Sequence, residues 1–250
     1  MLIIDKIKTN IMNKTDEALN KLLKKYDIKN DQSLNLLPGW KFFDKKLKDT
    51  DIPFLSWRSN RKYVELNKLT SGNIVEHVCM LRFCCLTDKN TDLSTLMYRE
   101  FDLCEFIGQG IISSVHATFS DNRGGNVIVK LDNGIICSIE IGNLLPEGST
   151  MIDRHEIIAR RGVASDIVVD TQIPQKSIYT YTEKGNFEYK DVDNELYGLS
   201  ELEIESVRSS FNYLTGKRDK TALAKQHEHL SLLIKSAYIS DKDCKKIEIK

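Results

Sequence analysis

The chain has 250 residues, 41% hydrophobic and 29% charged, a balance typical of a globular chain with a sizeable core. Its 36 basic and 36 acidic residues cancel, so no global field draws it to nucleic acid or to an anionic membrane. No apolar stretch approaches the roughly 18 residues needed to cross a bilayer, and no basic segment followed by an apolar one marks a secretory leader.

A short apolar run, Leu2 to Ile4, precedes Asp5-Lys6 and has the look of a strand. Thr15 to Tyr26 follows as an amphipathic helix with Leu19, Leu22 and Leu23 on one face. From Pro38 to Trp57 the density of Trp and Phe predicts packed irregular chain rather than a linker. A short helix over Asn60 to Thr70 stops at Gly72. His77 to Leu86 alternates as a strand, with Cys79, Leu81, Phe83 and Cys85 on one side, and Leu93 to Ile107 returns to helical spacing before Gly108.

Strands then dominate. Ile111 to Phe119 places Ile111, Val115, Ala117 and Phe119 on one face and Ser114, His116 and Thr118 on the other. Val127 to Leu131 and Ile135 to Ile141 flank Asp132-Asn133-Gly134, which predicts a hairpin with a type I′ turn. Further strands are expected at Ile152 to Ala159, Asp166 to Val169 and Ile178 to Thr182. Ser200 and Glu203 have capping-box spacing at the start of a helix that runs to Leu214 and stops at Gly216. A last helix, Thr221 to Ser240, leads to a closing strand, Lys246 to Lys250. Runs of strands with helices grouped outside them predict an α+β fold, a mainly antiparallel open β-sheet with helices packed on one face.

The chemistry-bearing residues are sparse. Cys79, Cys84, Cys85, Cys104, Cys137 and Cys244 include no Cys-x-x-Cys pair, which favours reduced core cysteines and a cytoplasmic setting, and no metal site is expected. His227 and His229, two apart on a helix, do not share a face. No Gly-x-Gly-x-x-Gly turn occurs; Gly108/Gly110 and Gly124-Gly125 do not lie at a strand-to-helix turn. No cofactor-binding residue is therefore expected in this chain. On Ile152 to Ala159 alternation separates His155 from Arg154 and Glu156, so the three cannot act as a trio. Arg99 and Asp102, three apart on a helix, have the spacing of a simple ion pair worth about 0.2–0.5 kcal/mol.

In order along the chain, several segments resemble the C-terminal part of the glucose–fructose oxidoreductase, inositol dehydrogenase and MocA family. Leu2-Ile3-Ile4-Asp5-Lys6-Ile7 is similar to the strand leading into that family's Glu-Lys-Pro signature, with Thr15 to Tyr26 as the helix behind it. Thr70-Ser71-Gly72-Asn73-Ile74 is similar to the segment entering the first sheet strand. Phe101-Asp102-Leu103 through Ile107-Gly108 is similar to the family's H-x-x-D-L helix. Ile112 to Val115, the Asn-Gly hairpin, Arg154 to Gly162, the Lys235-Ser236-Ala237 helix and the final strand continue the pattern.

The resemblance implies a two-domain dehydrogenase plan, an N-terminal Rossmann domain holding NAD(P) and a C-terminal sheet domain that binds a sugar-like substrate and builds oligomers. On that plan residues 1–30 are the remnant end of a Rossmann-like domain and residues 31–250 are the substrate-type and oligomerisation domain. The catalytic positions fall on Lys6, Arg99 and Asp102, and Arg154, His116 and Tyr179 are the candidate substrate contacts. Asp5 and Ile7 stand where the signature has Glu and Pro, and Arg99 stands where the family has a proton-transferring His. An arginine holds its proton throughout the neutral range and cannot serve as a general base. Hydride transfer needs a nicotinamide. The expectation is a binding and assembly domain, not catalytic alone and without a cofactor of its own, forming a homodimer through the sheet face. The alternative is an oxidoreductase acting on a sugar, cyclitol or sugar nucleotide, with NAD(P) held by a separate Rossmann-containing chain or by a domain encoded upstream.

Overall fold

The computed structural model describes residues 2–29, 33–72, 74–121, 123–160, 162–165, 178–182, 185–189 and 193–249; for residues 2–13, 178–182 and 185–189 it describes the backbone alone. Five helices and eleven strands follow one another as α1 (Leu2–Lys25), β1 (Asn35–Pro38), β2 (Asp51–Phe54), α2 (Arg61–Ser71), β3 (Val78–Asp88), α3 (Leu93–Gly108), β4 (Ile112–Ser120), β5 (Gly124–Leu131), β6 (Ile136–Leu145), β7 (Ile152–Ala159), β8 (Gly162–Ser165), β9 (Ile178–Thr182), β10 (Gly185–Tyr189), α4 (Glu201–Leu214), α5 (Lys220–Asp243) and β11 (Ile247–Glu248). Single 3-10 turns occupy Gly39–Phe42, Ser56–Ser59 and Asn194–Leu196. The expected Asp166 to Val169 strand lies outside the described residues.

The main sheet has seven strands in the order β11-β4-β5-β6-β3-β7-β8. Every neighbouring pair is antiparallel except β3 and β6, which run parallel. That one parallel pair follows from the crossover: α3 leaves β3 and covers the sheet before the β4–β5–β6 meander returns to β3's side. Helices α3 and α5 lie on one face, over Leu81, Phe83 and Cys85 of β3, Val115 and Ala117 of β4, Val127 and Val129 of β5, and Cys137 and Ile139 of β6, all at most 1% exposed. This is the α+β open sheet with helices on one face that the alternation implied. A smaller apolar cluster, Ala18, Leu22 and Leu23 of α1 with Leu196, Val207 and Phe211, joins α1 to α4.

Three local expectations need correction. Leu2 to Ile4 is the first turn of α1, not a strand. Ile4, Ile7 and Ile11 fall at helical spacing in line with Ala18 and Leu22, with no Gly or Pro between, and this period outweighs the β-preference of isoleucine. In β4 the register shifts between Ile112 and Ser114, so Ile112 is buried at 1% and Ile111 is 52% exposed, the reverse of simple alternation. The hairpin is present, but only Gly134 has positive φ (+92°); Gly134 donates to the Leu131 carbonyl and Leu131 to that of Ile135. This is a three-residue loop closed by a glycine in the left-handed region, not a type I′ turn. Helix α3 ends at Gly108 as expected, a position where a side chain would strike Leu131 and Leu81, and Gln109 at φ 55° closes it.

Candidate functional site

Helix α3 builds the polar interior. Twelve of its sixteen residues are buried, and they include Glu100, Asp102 and Glu105. A buried carboxylate needs partners that repay its lost hydration, and two separate networks supply them.

The first surrounds Arg99. Its guanidinium donates to Asp153 of β7 (Nη1–Oδ1 2.8 Å, Nη2–Oδ2 2.9 Å), to Glu100 (2.5 Å) and to the Tyr63 hydroxyl of α2. Lys62 adds a second cation on Asp153 at 2.6 Å, and Tyr63 also donates to that carboxylate. His155 shares a hydrogen bond of 2.9 Å with Glu100 and is wholly buried between the rings of Tyr63 and Phe83. Burial alone would raise the Asp153 carboxyl; the Arg99 charge and its hydrogen bonds, with His155 and Lys62, outweigh that and hold it far below the usual carboxylate range.

Cys85, Glu100 and Asp153 place ligand-type atoms within 4.8 Å of one another, the one such trio among the described residues. The Arg99 guanidinium already lies among them, 3.6 Å from the Cys85 sulfur, and burial pushes the Cys85 thiol well above its ordinary range. A metal ion would have to displace a cation bonded to both carboxylates and ionise a thiol in an apolar wall, so the trio does not fit one.

The second network surrounds Asp102, which is 0% exposed. It accepts from Trp57 Nε1 (2.6 Å), from Arg58 through two bonds (2.8 and 2.6 Å) and from Gln226 of α5 (3.0 Å). Glu105, one turn on, accepts from the Ile112 amide, Gln226 and His229 at 2.7–2.8 Å. All of these groups serve to lock α3, α5 and the Ser56–Ser59 turn together.

Arg99 and Asp102 therefore do not pair with each other, as their spacing suggested; each turns to a different neighbour. Lys6 lies within α1, not at a strand end, and its side chain falls outside the described residues, as does that of Tyr179 in β9. His116 and Arg154 are both exposed on the open sheet face, in β4 and β7. Four inter-strand steps separate them, roughly 19 Å at about 4.8 Å each, so they form no common site. Tyr63, Asp153, Glu100 and His155 are members that sequence reasoning missed. The available signal was Glu100, Asp102 and Glu105 inside a helix whose remaining residues are mostly apolar.

Beside the first network lies a concave groove of about 780 Å³, whose lining includes Trp40, Phe43, Thr87, Asn90, Thr95 and Arg99 together with the charged Lys41, Lys45, Asp88 and Asp92. That volume is in the range of small-molecule sites. Trp40 is held in place by stacking on Trp57, ring centroids 5.6 Å apart. Arg99 keeps 12% of its side chain exposed there. The groove combines flat aromatic surface with short hydroxyl and amide side chains and with charges of both signs.

No family model matches the sequence, and no curated protein matches it. Solved structures do. The chain is similar to GenD2 from gentamicin A biosynthesis, determined in complex with NAD, at TM-score 0.58 and 16% identity over 78% of this chain and 62% of that one. It is similar to a putative myo-inositol dehydrogenase from Sinorhizobium meliloti 1021 at 0.57 and 14% identity, covering 80% and 66%. It is also similar to scyllo-inositol dehydrogenase from Lactobacillus casei with bound NAD(H) and scyllo-inositol, at 0.54 and 11%, covering 78% and 63%. The fold thus resembles that of GenD2 and these dehydrogenases, and the chain spans a little over three fifths of the length of GenD2.

Proposed function

We propose that this chain is a sheet-domain module that binds a sugar- or cyclitol-type ligand in the groove over Arg99 and carries out no redox chemistry alone. One observation carries the reading: the two α3 positions that the family resemblance marks for catalysis, Arg99 and Asp102, are both consumed in buried, hydrogen-bonded ion pairs. Neither is free to take a proton from a substrate, and Arg99 holds its own proton at any working pH. With the Nη hydrogens of Arg99 spent on Asp153, Glu100 and Tyr63, hydroxyl groups in the groove would be held by the side chains of Thr87, Asn90 and Thr95 against the Trp40 ring. In this reading the chain needs no cofactor. It assembles as a homodimer through the open sheet face, where Ile128 and Ile136 are 46% and 42% exposed beside the Arg82–Glu156 ion pair.

The test is calorimetry with NADH, NADPH, myo-inositol and scyllo-inositol. Polyol binding that disappears in Trp40→Ala, with no cofactor heat at millimolar concentration, supports the module. Cofactor binding tighter than about 100 μM, close to −5.5 kcal/mol, overturns it. Light scattering that returns 28.7 kDa at all micromolar concentrations removes the dimer.

A second reading is favoured by the NAD-bound relatives, whose chains extend well beyond the matched part. Here the domain belongs to an oxidoreductase acting on a sugar, cyclitol or sugar nucleotide, with NAD(P) held by another chain or by an upstream segment. An upstream frame encoding Gly-x-Gly-x-x-Gly, or a co-purifying Rossmann protein that restores NADH oxidation, separates it from the first.

A further inference from the structure

The pattern of side chains on the helix-free face of the sheet follows from its register. Met80, Arg82 and Cys84 of β3 alternate with the core residues Leu81, Phe83 and Cys85, and so point away from α3 and α5. Strand β6 sets Ile136, Ser138 and Glu140 beside them on one flank, and β7 sets Ile158, Glu156 and Arg154 beside them on the other. Three rows result: Ile136–Met80–Ile158, Ser138–Arg82–Glu156 and Glu140–Cys84–Arg154.

Charge is unevenly settled in these rows. Arg82 donates Nε to Glu156 at 2.7 Å, so the middle row is neutral within the chain. Glu140 and Arg154 are both exposed, and neither has an ion-pair partner among the described residues. Strand β3 separates them by two inter-strand steps, roughly 10 Å at about 4.8 Å each. Cys84 lies half-buried between them; burial raises its thiol above the ordinary range, Glu140 adds to this and Arg154 opposes it. Arg82, Cys84, Glu140, Arg154 and Glu156 line one depression of about 220 Å³.

A homodimer through this face is isologous, with its two-fold axis in the plane of contact. An axis along β6 sets Glu140 on the partner's Glu140, and one along β7 sets Arg154 on the partner's Arg154. An axis between β3 and either neighbour sets one of the two charges on Cys84. An axis across the strands returns each strand to its own copy, so β6 never meets β7. Only an axis along β3 exchanges β6 with β7 and brings each free charge to its opposite. The same axis lays Ile136 against the partner's Ile158 around the two Met80 side chains, an apolar cluster beside the charged rows.

We propose that the open face docks a second copy of this chain about a two-fold axis along β3, locked by reciprocal Glu140–Arg154 ion pairs, with Cys84 facing its own copy. This rests on the homodimer reading given above and sets its register. Arg82 also meets its own copy at the axis, and each guanidinium is already neutralised by Glu156 of its own chain.

Charge reversal tests the register by light scattering over a micromolar dilution series. Glu140→Arg and Arg154→Glu should each weaken dimerisation at least about tenfold, because each sets like charges against one another at two places. The double variant E140R/R154E restores both pairs with their signs exchanged and should dimerise within about threefold of the wild type. Its recovery excludes misfolding as the cause of the single losses. With Cys79→Ser and Cys244→Ser in the background, Cys84 is the one cysteine that is not buried. Sheets packed about 10 Å apart bring the two Cys84 thiols within reach of a short bismaleimide, so the dimer should cross-link and Cys84→Ser should abolish the cross-link. A wild type that stays at 28.7 kDa throughout overturns this proposal together with the homodimer. A dimer that survives both single reversals, that the double variant does not restore, or that fails to cross-link through Cys84 overturns the β3 axis while the homodimer stands.

Discussion

Asp102 and Arg58, forty-four residues apart, meet through two nearly parallel hydrogen bonds of 2.8 and 2.6 Å, the carboxylate wholly buried and the guanidinium at the edge of the fold. The pair is asymmetric. Arg58 reaches water through its free edge and lies 5.1 Å over the Phe106 ring, whereas Asp102 has nowhere else to go.

The asymmetry sets the order of two substitutions. Arg58→Gln leaves a wholly buried carboxylate with only the neutral donors of Trp57 and Gln226, and should cost about 3–5 kcal/mol in urea unfolding. Asp102→Ala strands the buried indole N–H of Trp57, but Gln226 keeps Glu105 and Arg58 can turn to water, so it should cost less, about 1–3 kcal/mol. If Asp102→Ala unfolds at the wild-type urea midpoint, Asp102 is not structural and the case against its catalytic role collapses.

Asp153 gives the protein an acid-sensitive component. Its folded carboxyl lies far below the unfolded value of about 3.9, so below that unfolded value the unfolded chain takes up a proton that the folded one refuses. The stabilisation is fully present above about pH 5 and is lost as pH falls through about 4 and lower. Asp153→Asn should be less stable at pH 7 and have a flatter slope of stability against pH below 4, by close to one proton. Parallel acid limbs in the two proteins would show that the Arg99 cluster does not govern acid unfolding.

The elements were more legible in the sequence than the site. Alternation in β5 and in β3 from Leu81 on (a register shift leaves Cys79 exposed), the Asn-Gly hairpin and the Ser200–Glu203 capping box, with both of its bonds formed, are local patterns in which near neighbours decide the outcome. A strand over Leu2–Ile4 fails because three apolar residues, two of them β-branched, count for less than the longer helical period in which they sit. The Arg99 and Asp102 networks were invisible for another reason. Their members lie 36, 54 and 124 residues apart, as with Tyr63 and Asp153 around Arg99 or Gln226 on Asp102, and only the sheet order brings them together. What could be read was the demand: three carboxylates on an otherwise apolar helix require buried donors, whose identity the local pattern does not give.

Gly39 is held by space, not by backbone conformation. A Cβ there would run into the Tyr98 hydroxyl, and Tyr98 is itself fully buried and hydrogen-bonded to His227 Nδ1 at 2.9 Å. The ring cannot swing away without breaking that bond. Gly39→Ala should therefore cost about 1–3 kcal/mol by overpacking, and Gly39→Ala with Tyr98→Phe should recover part of the loss. Additive costs in the double variant would place the clash elsewhere.

Asp193 holds α1 to the rest of the chain. It accepts from Lys25 at 2.7 Å and Tyr26 at 3.0 Å, at the end of α1, and from Arg208 of α4 at 2.5 Å, with 4% of its side chain exposed. Burial by itself would raise this carboxyl, but the hydrogen bonds from Lys25, Arg208 and Tyr26 hold it below the usual range. Besides these polar bonds, α1 is attached through the small Leu22–Leu23–Val207–Phe211 cluster, which is separate from the core beneath the sheet. Asp193→Asn removes the charge that three donors share, so its cost of about 1–3 kcal/mol should fall on α1 before the sheet. Hydrogen exchange should show amides of residues 14–25 losing protection at pH 7 while those of β3, β5 and β6 keep theirs. Uniform loss across helix and sheet would mean that α1 and the sheet unfold as one cooperative unit, and that α1 is part of the main fold instead of a helix docked on α4.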